Sequence, residues 1–179
     1  MSAEDPRLPL LRRRVREVPD FPKPGILFRD LTPLMGDGMA MRACISLLTE
    51  RVAAHKPDVI VAVESRGFIF GGALAARLNA SFVPVRKPGK LPARVDRVAY
   101  SLEYGKGELE MHRDALRSGA RTVIVDDLLA TGGTAAASGE LVRRQGGNLV
   151  AFAFVIELEA LAGRLRLSPV PVVSLIQYA

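Results

Sequence analysis

Residues 122–134 read TVIVDDLLATGGT, and this segment decides the fold. Its first four residues, 122–125, favour the β conformation and predict a buried strand. Asp126 and Asp127 follow, and a loop of small residues then opens a helix predicted over residues 135–144. A strand, two acids at its carboxyl end and a glycine loop before a helix are together typical of a phosphate site in an α/β sheet.

The loop TGGT, residues 131–134, has the chemistry of an anion site. Glycines let backbone N–H groups approach an anion, the helix N-terminus adds positive potential, and Thr131 and Thr134 add hydroxyl donors. The two acids suit sugar hydroxyls or a divalent cation, so the predicted ligand is a sugar phosphate. The alternative is an ordinary strand-to-helix connection with two solvated acids, which the ordered combination of features disfavours. The segment is neither a Walker A loop nor a dinucleotide fingerprint.

The rest of the chain alternates between predicted strands and predicted helices. Apolar runs predict strands over residues 59–63, 82–85, 149–157 and 170–177, and helical patterns cover residues 8–18, 38–55 and 67–78. This alternation predicts an α/β fold with a parallel sheet and helices on both faces. The polar segment 86–103 breaks the rhythm.

Composition limits the class of protein. A chain of 179 residues, 49% of them hydrophobic, suits one domain with a real core. No apolar run reaches the roughly 18 residues of a membrane span. Cys44, the only cysteine, is predicted to lie on the apolar face of a helix and to be part of the protein core. We therefore expect a cytoplasmic protein with no membrane partner. The net charge of +6 favours anions, and without a nucleic-acid-binding motif we expect a small polyanion rather than nucleic acid.

Two further segments fall at the predicted carboxyl edge of the sheet. Glu64 and Arg66 follow one strand in the sequence ESRG, and Arg66 there can grip diphosphate oxygens in fork geometry. The alternative is a surface arginine that pairs with Glu64. Arg86, Lys87 and Lys90 come just after the next strand, and their alternative is a solvated basic loop.

The chain resembles a known family in several segments that occur in the same order. Residues 122–134 resemble the 5-phosphoribosyl-1-diphosphate (PRPP) motif of type I phosphoribosyltransferases. FPKPGILFRDLTPL (21–34), ESRGFIFG (64–71), VRKPGKLP (85–92) and YSLEYGKGELE (100–110) resemble the adenine phosphoribosyltransferases of that family. The resemblance covers nearly the whole chain after about residue 17.

The resemblance implies a fold and a reaction. The fold is the type I phosphoribosyltransferase fold, a central parallel sheet flanked by helices. A single domain over residues 1–179 would include a small N-terminal base-binding hood at about 1–35 and a mobile catalytic loop at about 94–110. The implied reaction joins adenine to PRPP, giving AMP and pyrophosphate in purine salvage, with Mg²⁺ as cofactor and a homodimer as the working unit. Part of the diphosphate site would come from the neighbouring subunit.

The resemblance also implies a role for each matched residue. Glu103 and Tyr104 would be the catalytic acid/base and the lid tyrosine, and Asp126 and Asp127 would bind the ribose hydroxyls. Mg²⁺ would be held mainly by PRPP oxygens and water, with the same two acids as candidate protein ligands. The other implied contacts are Ala130, Thr131, Gly132, Gly133 and Thr134 for the 5′-phosphate, Ser65, Arg66, Arg86, Lys87 and Lys90 for the diphosphate, and Leu27, Phe28 and Arg29 for adenine.

Two other functions stay open at this point. One is a phosphoribosyltransferase for another base, such as hypoxanthine, xanthine or orotate, which the 21–29 segment disfavours. The other is a non-catalytic PRPP-sensing regulator, which would need a DNA-binding extension. The presence of the full loop with Glu103 favours an enzyme.

Overall fold

The structure is a computed structural model that describes residues 5–102 and 105–179. The chain divides into two compact units, one ending at Leu47 and one running from Leu48 to Ala179. The single-domain boundaries expected from the sequence stay a prediction.

The first unit combines short helices with a small antiparallel ladder. Its elements are α1 (Leu8–Arg13), β1 (Arg16–Val18), β2 (Phe28–Asp30), α2 (Thr32–Gly36) and α3 (Gly38–Ala53), which runs past the unit boundary. The helix expected over 8–18 is wrong in its second half, where β1 pairs with β2. Val18 precedes a proline, which disfavours helical backbone at that residue. Cys44 is fully buried in α3, as predicted, and burial raises the pKa of its thiol to about 12.

The second unit is built on a five-stranded sheet. Its elements are β3 (Val59–Val63), α4 (Gly67–Leu78), β4 (Ser81–Val85), β5 (Val95–Leu102), β6 (Gly105–His112), β7 (Arg121–Leu129), α5 (Gly133–Arg144), β8 (Asn148–Leu158), a 3₁₀ turn (Glu159–Leu161), α6 (Gly163–Leu167) and β9 (Val172–Tyr178). The strand order is β4-β3-β7-β8-β9, and every neighbouring pair is parallel. Helix α4 packs on β3 and β7, and α5 packs on β7 and β8. The predicted α/β fold is confirmed.

Strand β7 is longer than its apolar run predicts. The sequence placed Asp126 and Asp127 after the strand, which is wrong, because both lie inside it. On one side, β7 pairs with β3 only as far as Val125; on the other, β8 continues alongside to Leu129. The acids therefore occupy the stretch where β7 has lost one neighbour, and that open side faces the turn after β3.

The segment that breaks the strand–helix rhythm forms a separate antiparallel pair. Strands β5 and β6 pair from Val95–His112 to Leu102–Gly105, apart from the main sheet. Glu103 and Tyr104 lie outside the described residues, and the expected mobility of the loop stays a prediction. Within the described ranges, the helices lack the combination of length and hydropathy that crossing a bilayer requires.

Candidate active site

A cavity of about 190 Å³ lies at the carboxyl end of β7. Its wall combines the turn after β3, the acid pair of β7 and the loop that opens α5. The lining residues are Arg66, Asp126, Asp127, Leu128, Leu129, Ala130, Thr131, Gly132, Gly133, Thr134, Ala135 and Phe154. The structure thus brings Arg66, both acids and all five predicted 5′-phosphate residues into one cavity.

The loop before α5 has the backbone geometry of an anion site. Gly132 is the N-cap residue, with a φ of 77° that favours glycine, and no side chain caps the helix. A Cβ at Gly132 would also lie 2.7 Å from the carbonyl oxygen of Gly163, so a larger residue would collide with backbone. The first-turn N–H groups of a helix lack intrahelical partners, and they carry partial positive charge. The loop can therefore bind a phosphate group through its backbone.

A second cavity, of about 390 Å³, continues from the first and shares four of its lining residues. Its lining is Val63, Glu64, Ser65, Arg66, Lys87, Tyr100, Leu109, Asp126, Asp127 and Thr134. Residues 130–133 line only the first cavity, Lys87 lines only the second, and Arg66, Thr134 and the acid pair are common to both. This order fits a sugar that carries phosphate groups at two positions.

The surroundings of the acid pair shift the pKa of Asp126. Asp127 is 6% exposed and accepts a hydrogen bond from Arg66 Nε, and its own backbone N–H donates to Asp126 Oδ1 at 2.9 Å. Burial raises the pKa of Asp126 well above its ordinary value, and the adjacent charge of Asp127 raises it further. The Asp126 carboxyl group therefore holds its proton more tightly than an exposed carboxyl group would.

Replacing Asp126 by asparagine is expected to stabilise the ligand-free protein at neutral pH. A carboxyl group whose folded pKa is raised binds more protons when folded, so stability falls as pH rises from its ordinary pKa of 3.8 towards the folded pKa. Asp126→Asn removes that loss, and Tm at pH 7 should rise by about 2–5 °C. Thermal melts at pH 7 and pH 4.5 should give a smaller gain at the lower pH. Asp114→Asn, at an exposed carboxylate, is the control, and an equal shift there would contradict this account.

The basic loop after β4 is held by Glu64. Arg86 donates to this carboxylate from Nε at 3.3 Å and from Nη2 at 3.0 Å, and the Lys87 N–H donates to it at 3.2 Å. Hydrogen bonding from Arg86 lowers the pKa of Glu64. Arg86 Nη1 also donates to the carbonyl oxygen of Lys90. Arg66 forms an ion pair with Asp127, and Glu64 forms one with Arg86. Neither Arg86 nor Lys90 is part of the lining of the two cavities.

Sequence reasoning missed two residues that shape this region. Glu110 is 2% exposed; it accepts hydrogen bonds from the Gly89 N–H at 3.0 Å and from Arg97, which ties the basic loop to β6. Tyr100 lies over Gly107, its ladder partner, and its hydroxyl is 3.4 Å from Thr134 Oγ1. An aromatic residue opposite a glycine in a hairpin was the available signal for Tyr100. No such signal was available for Glu110, because the residues next to it in the sequence do not indicate that it is buried.

The predicted adenine residues belong to the first unit. Leu27 is 44% exposed, and the Phe28 ring makes an edge-to-face contact with Phe21 at 5.1 Å between centroids. The Arg29 side chain forms an ion pair with Glu17. This leaves exposed apolar surface next to β2, as a planar base would require.

Comparison with known proteins matches these features to a family. The model of the phosphoribosyl transferase domain matches residues 37–176. A protein named adenine phosphoribosyltransferase from Sorangium cellulosum is 61% identical over 94% of this chain and 87% of its own length. The chain belongs to the adenine phosphoribosyltransferases. It is therefore a pentosyl-transferring enzyme, and the predicted family and enzyme class are confirmed.

Solved structures of other adenine phosphoribosyltransferases have the same fold. The enzyme from Thermoanaerobacter pseudethanolicus is 49% identical, with a TM-score of 0.93 over 96% of this chain and 99% of that one. The enzyme from Saccharomyces cerevisiae, solved with an imino-altritol bisphosphate and adenine, is 42% identical, with a TM-score of 0.89 over 94% and 98%. These relatives disfavour both alternatives, a different base and a non-catalytic regulator.

Proposed function

We propose that this enzyme transfers the 5-phosphoribosyl group of PRPP to adenine, giving AMP and pyrophosphate, in purine salvage. The observation that carries the proposal is the order of groups along the joined cavities, from the anion loop, through the acid pair and Arg66, to Lys87. PRPP presents a 5′-phosphate, ribose hydroxyls and a diphosphate in that order. The yeast relative supports this, because its structure holds adenine and a bisphosphate.

Each part of PRPP has a proposed site. Backbone N–H groups of the loop formed by residues 130–134 bind the 5′-phosphate, and Asp126 and Asp127 accept hydrogen bonds from the ribose hydroxyls. Arg66 and Lys87 in the second cavity bind the diphosphate, helped by Ser65. We propose that Arg86 and Lys90 also bind the diphosphate. In this structure, Arg86 donates hydrogen bonds to Glu64 and to the Lys90 carbonyl oxygen.

The chemistry at the anomeric carbon needs charge stabilisation more than covalent help. The bond to diphosphate breaks while the bond to adenine N9 forms, and negative charge builds on the leaving group as the ribose gains oxocarbenium character. Arg66 and Lys87 are positioned to stabilise that leaving group electrostatically. Glu103 would manage the adenine proton, and Tyr104 would be the lid tyrosine. Both assignments stay predictions, since these residues lie outside the described ranges.

Mg²⁺ is the proposed cofactor, and the acid pair suits it. Magnesium prefers oxygen ligands and commonly takes one or two carboxylates together with substrate phosphates. Asp126 and Asp127 supply carboxylates in both cavities, and the described residues contain no cluster of three or more potential metal ligands. When bound, Mg²⁺ would neutralise diphosphate oxygens, most of its ligands coming from PRPP and water.

The direct test is AMP formation from adenine and PRPP. We expect turnover with Mg²⁺, and loss of it with excess EDTA that added Mg²⁺ reverses. Calorimetric titration of ribose 5-phosphate without metal tests the 5′-phosphate site separately from the Mg²⁺ site. We expect binding there without Mg²⁺, because the 5′-phosphate loop binds through backbone groups. Full turnover in EDTA would contradict the cofactor proposal while leaving the reaction intact.

We also propose a homodimer and a cytoplasmic location. The resemblance assigns part of the diphosphate site to the neighbouring subunit, and large apolar side chains are exposed near edge strand β4. Phe82 is 40% exposed and Ile69 45% exposed, and the Phe82 ring contacts Phe68 edge to face.

The proposed dimer can be tested by sedimentation and by a substitution at Phe82. Sedimentation at assay concentration should report a dimer, and Phe82→Arg should shift it towards monomer because burying a charge in an apolar contact is costly. Activity should fall in parallel with the dimer fraction. An active wild-type monomer would refute the shared site.

A further inference from the structure

The 5′-phosphate loop rests on a second segment of backbone, the start of α6. A Cβ at Gly163 would lie 2.1 Å from the carbonyl oxygen of Ala130 and 2.9 Å from the backbone nitrogen of Gly132. The contact is reciprocal, since a Cβ at Gly132 would meet the Gly163 carbonyl oxygen. Two backbones therefore touch with no side chain between them. Any displacement of Gly163 must move the loop.

The loop depends on this contact because its own helix gives it little support. Helix α5 begins at Gly132 without a side-chain cap, and a glycine backbone has more conformational freedom than any other residue. An anion site works best when its N–H groups are already aimed before the ligand arrives. Something outside the loop must therefore fix its position.

Arg164, the residue after Gly163, anchors this segment to two strands. Its Nε donates to Glu157 Oε1 at 2.8 Å and its Nη2 to Glu157 Oε2 at 2.5 Å, which is a bidentate pair with β8. Its Nη1 donates to the carbonyl oxygen of Val172 at 2.9 Å, and its Nη2 is 3.2 Å from Ser174 Oγ. One guanidinium thus ties α6 to both β8 and β9.

The carboxylate partner is buried and fully engaged. Glu157 is 4% exposed and also accepts hydrogen bonds from Ser174 Oγ at 2.5 Å and Gln177 Nε2 at 3.3 Å. Burial alone would raise the pKa of Glu157, but hydrogen bonds from Arg164, Ser174 and Gln177 outweigh it and lower the pKa. The carboxylate therefore stays ionised, and removing Arg164 would leave a buried charge without its cation.

We propose that Arg164, paired with Glu157, is a positioning residue for the 5′-phosphate loop. It acts through Gly163, whose backbone it holds against Ala130 and Gly132, and it does not touch the substrate. The inference rests on the proposed role of residues 130–134 as the 5′-phosphate site. It predicts a selective loss of phosphate affinity, whereas a purely structural ion pair would lower only the melting temperature.

The test compares Arg164→Met with a matched control, Arg144→Met. Arg144 also bonds a carboxylate and a backbone carbonyl, namely Glu140 Oε1 at 2.9 Å and the Arg97 oxygen at 3.1 Å, and it lies at the end of α5 opposite to the loop. Since misplacing a binding group by about 1 Å costs up to about 10²-fold, we expect Arg164→Met to raise the KM for PRPP and the Kd for ribose 5-phosphate about tenfold. The KM for adenine, and kcat at saturating PRPP, should change less than about twofold. Arg144→Met should change none of these.

Two conservative variants cover the case in which Arg164→Met does not fold. Arg164→Lys keeps the charge but loses the fork, and Ser174→Ala removes one bond to each partner, so both should give intermediate losses of ribose 5-phosphate affinity. Wild-type affinity in folded variants, or an equal rise in the KM for adenine, would overturn the positioning role. A wild-type enzyme that fails to bind ribose 5-phosphate would instead overturn the phosphate site itself.

Discussion

Adenine is expected to be used about 10⁴-fold more efficiently than hypoxanthine, measured as kcat/KM at saturating PRPP. Adenine presents a donor amine at C6 and an acceptor at N1, and hypoxanthine presents the opposite pattern at both positions. In our proposal the backbone carbonyl of Arg29 accepts the amine and a nearby backbone N–H serves N1. Hypoxanthine would then leave buried polar groups unpaired, which costs more than a lost apolar contact.

The control for this selectivity is a variant that changes only the Arg29 side chain, Arg29→Gln. That side chain is occupied by its ion pair with Glu17, so it is not available to read the base. Arg29→Gln should therefore change the adenine-to-hypoxanthine ratio less than it changes the rate. A wild-type ratio below about 10²-fold, closer to what an apolar pocket gives, would defeat the proposed reading of adenine.

Replacing Asp126 and Asp127 together by asparagine should lower kcat/KM for PRPP by about 10²–10⁴-fold. Each substitution keeps the shape and removes a charge-assisted hydrogen bond to a ribose hydroxyl, a bond typically worth about 1.5–3 kcal/mol. Asp127→Asn also removes the carboxylate partner of Arg66, which lines the same cavities.

Single variants separate affinity from stability. Asp126→Asn should be more stable yet less active, because burial raises the pKa of Asp126 and the same residue lines both cavities. Circular dichroism and thermal melts must show folded protein before kinetics are compared. Wild-type kinetics in a folded double variant would remove the acid pair from the proposed ribose site.

The sequence predicted the sheet well because its strands are chemically uniform. Strand β3 is five buried apolar residues, and its limits and those of α4 are as predicted. Strand β7 was cut short because polar residues end an apolar run in sequence, whereas the ladder with β8 continues through both acids. Local pattern does not reveal how far a neighbouring strand extends.

The parts of the site that depend on contacts between residues far apart in the chain were harder to predict from the sequence. The loop before α5 was predicted because its glycines and threonines are consecutive. The roles of Gly163 and Glu110 were not predicted, since each contacts a segment more than 20 residues away in the chain. The short helices α2 and α6 have only five residues each, too few to establish a helical period.

Two arginines with proposed diphosphate contacts are already paired with carboxylates. Arg66 is bound to Asp127, and Arg86 to Glu64. In our proposal, an arriving polyanion would replace these carboxylates as the partner of each guanidinium group, and each released carboxylate could then bind a hydroxyl or a metal ion. The carboxylates would thus act as exchangeable counter-ions, which neutralise Arg66 and Arg86 until the substrate binds.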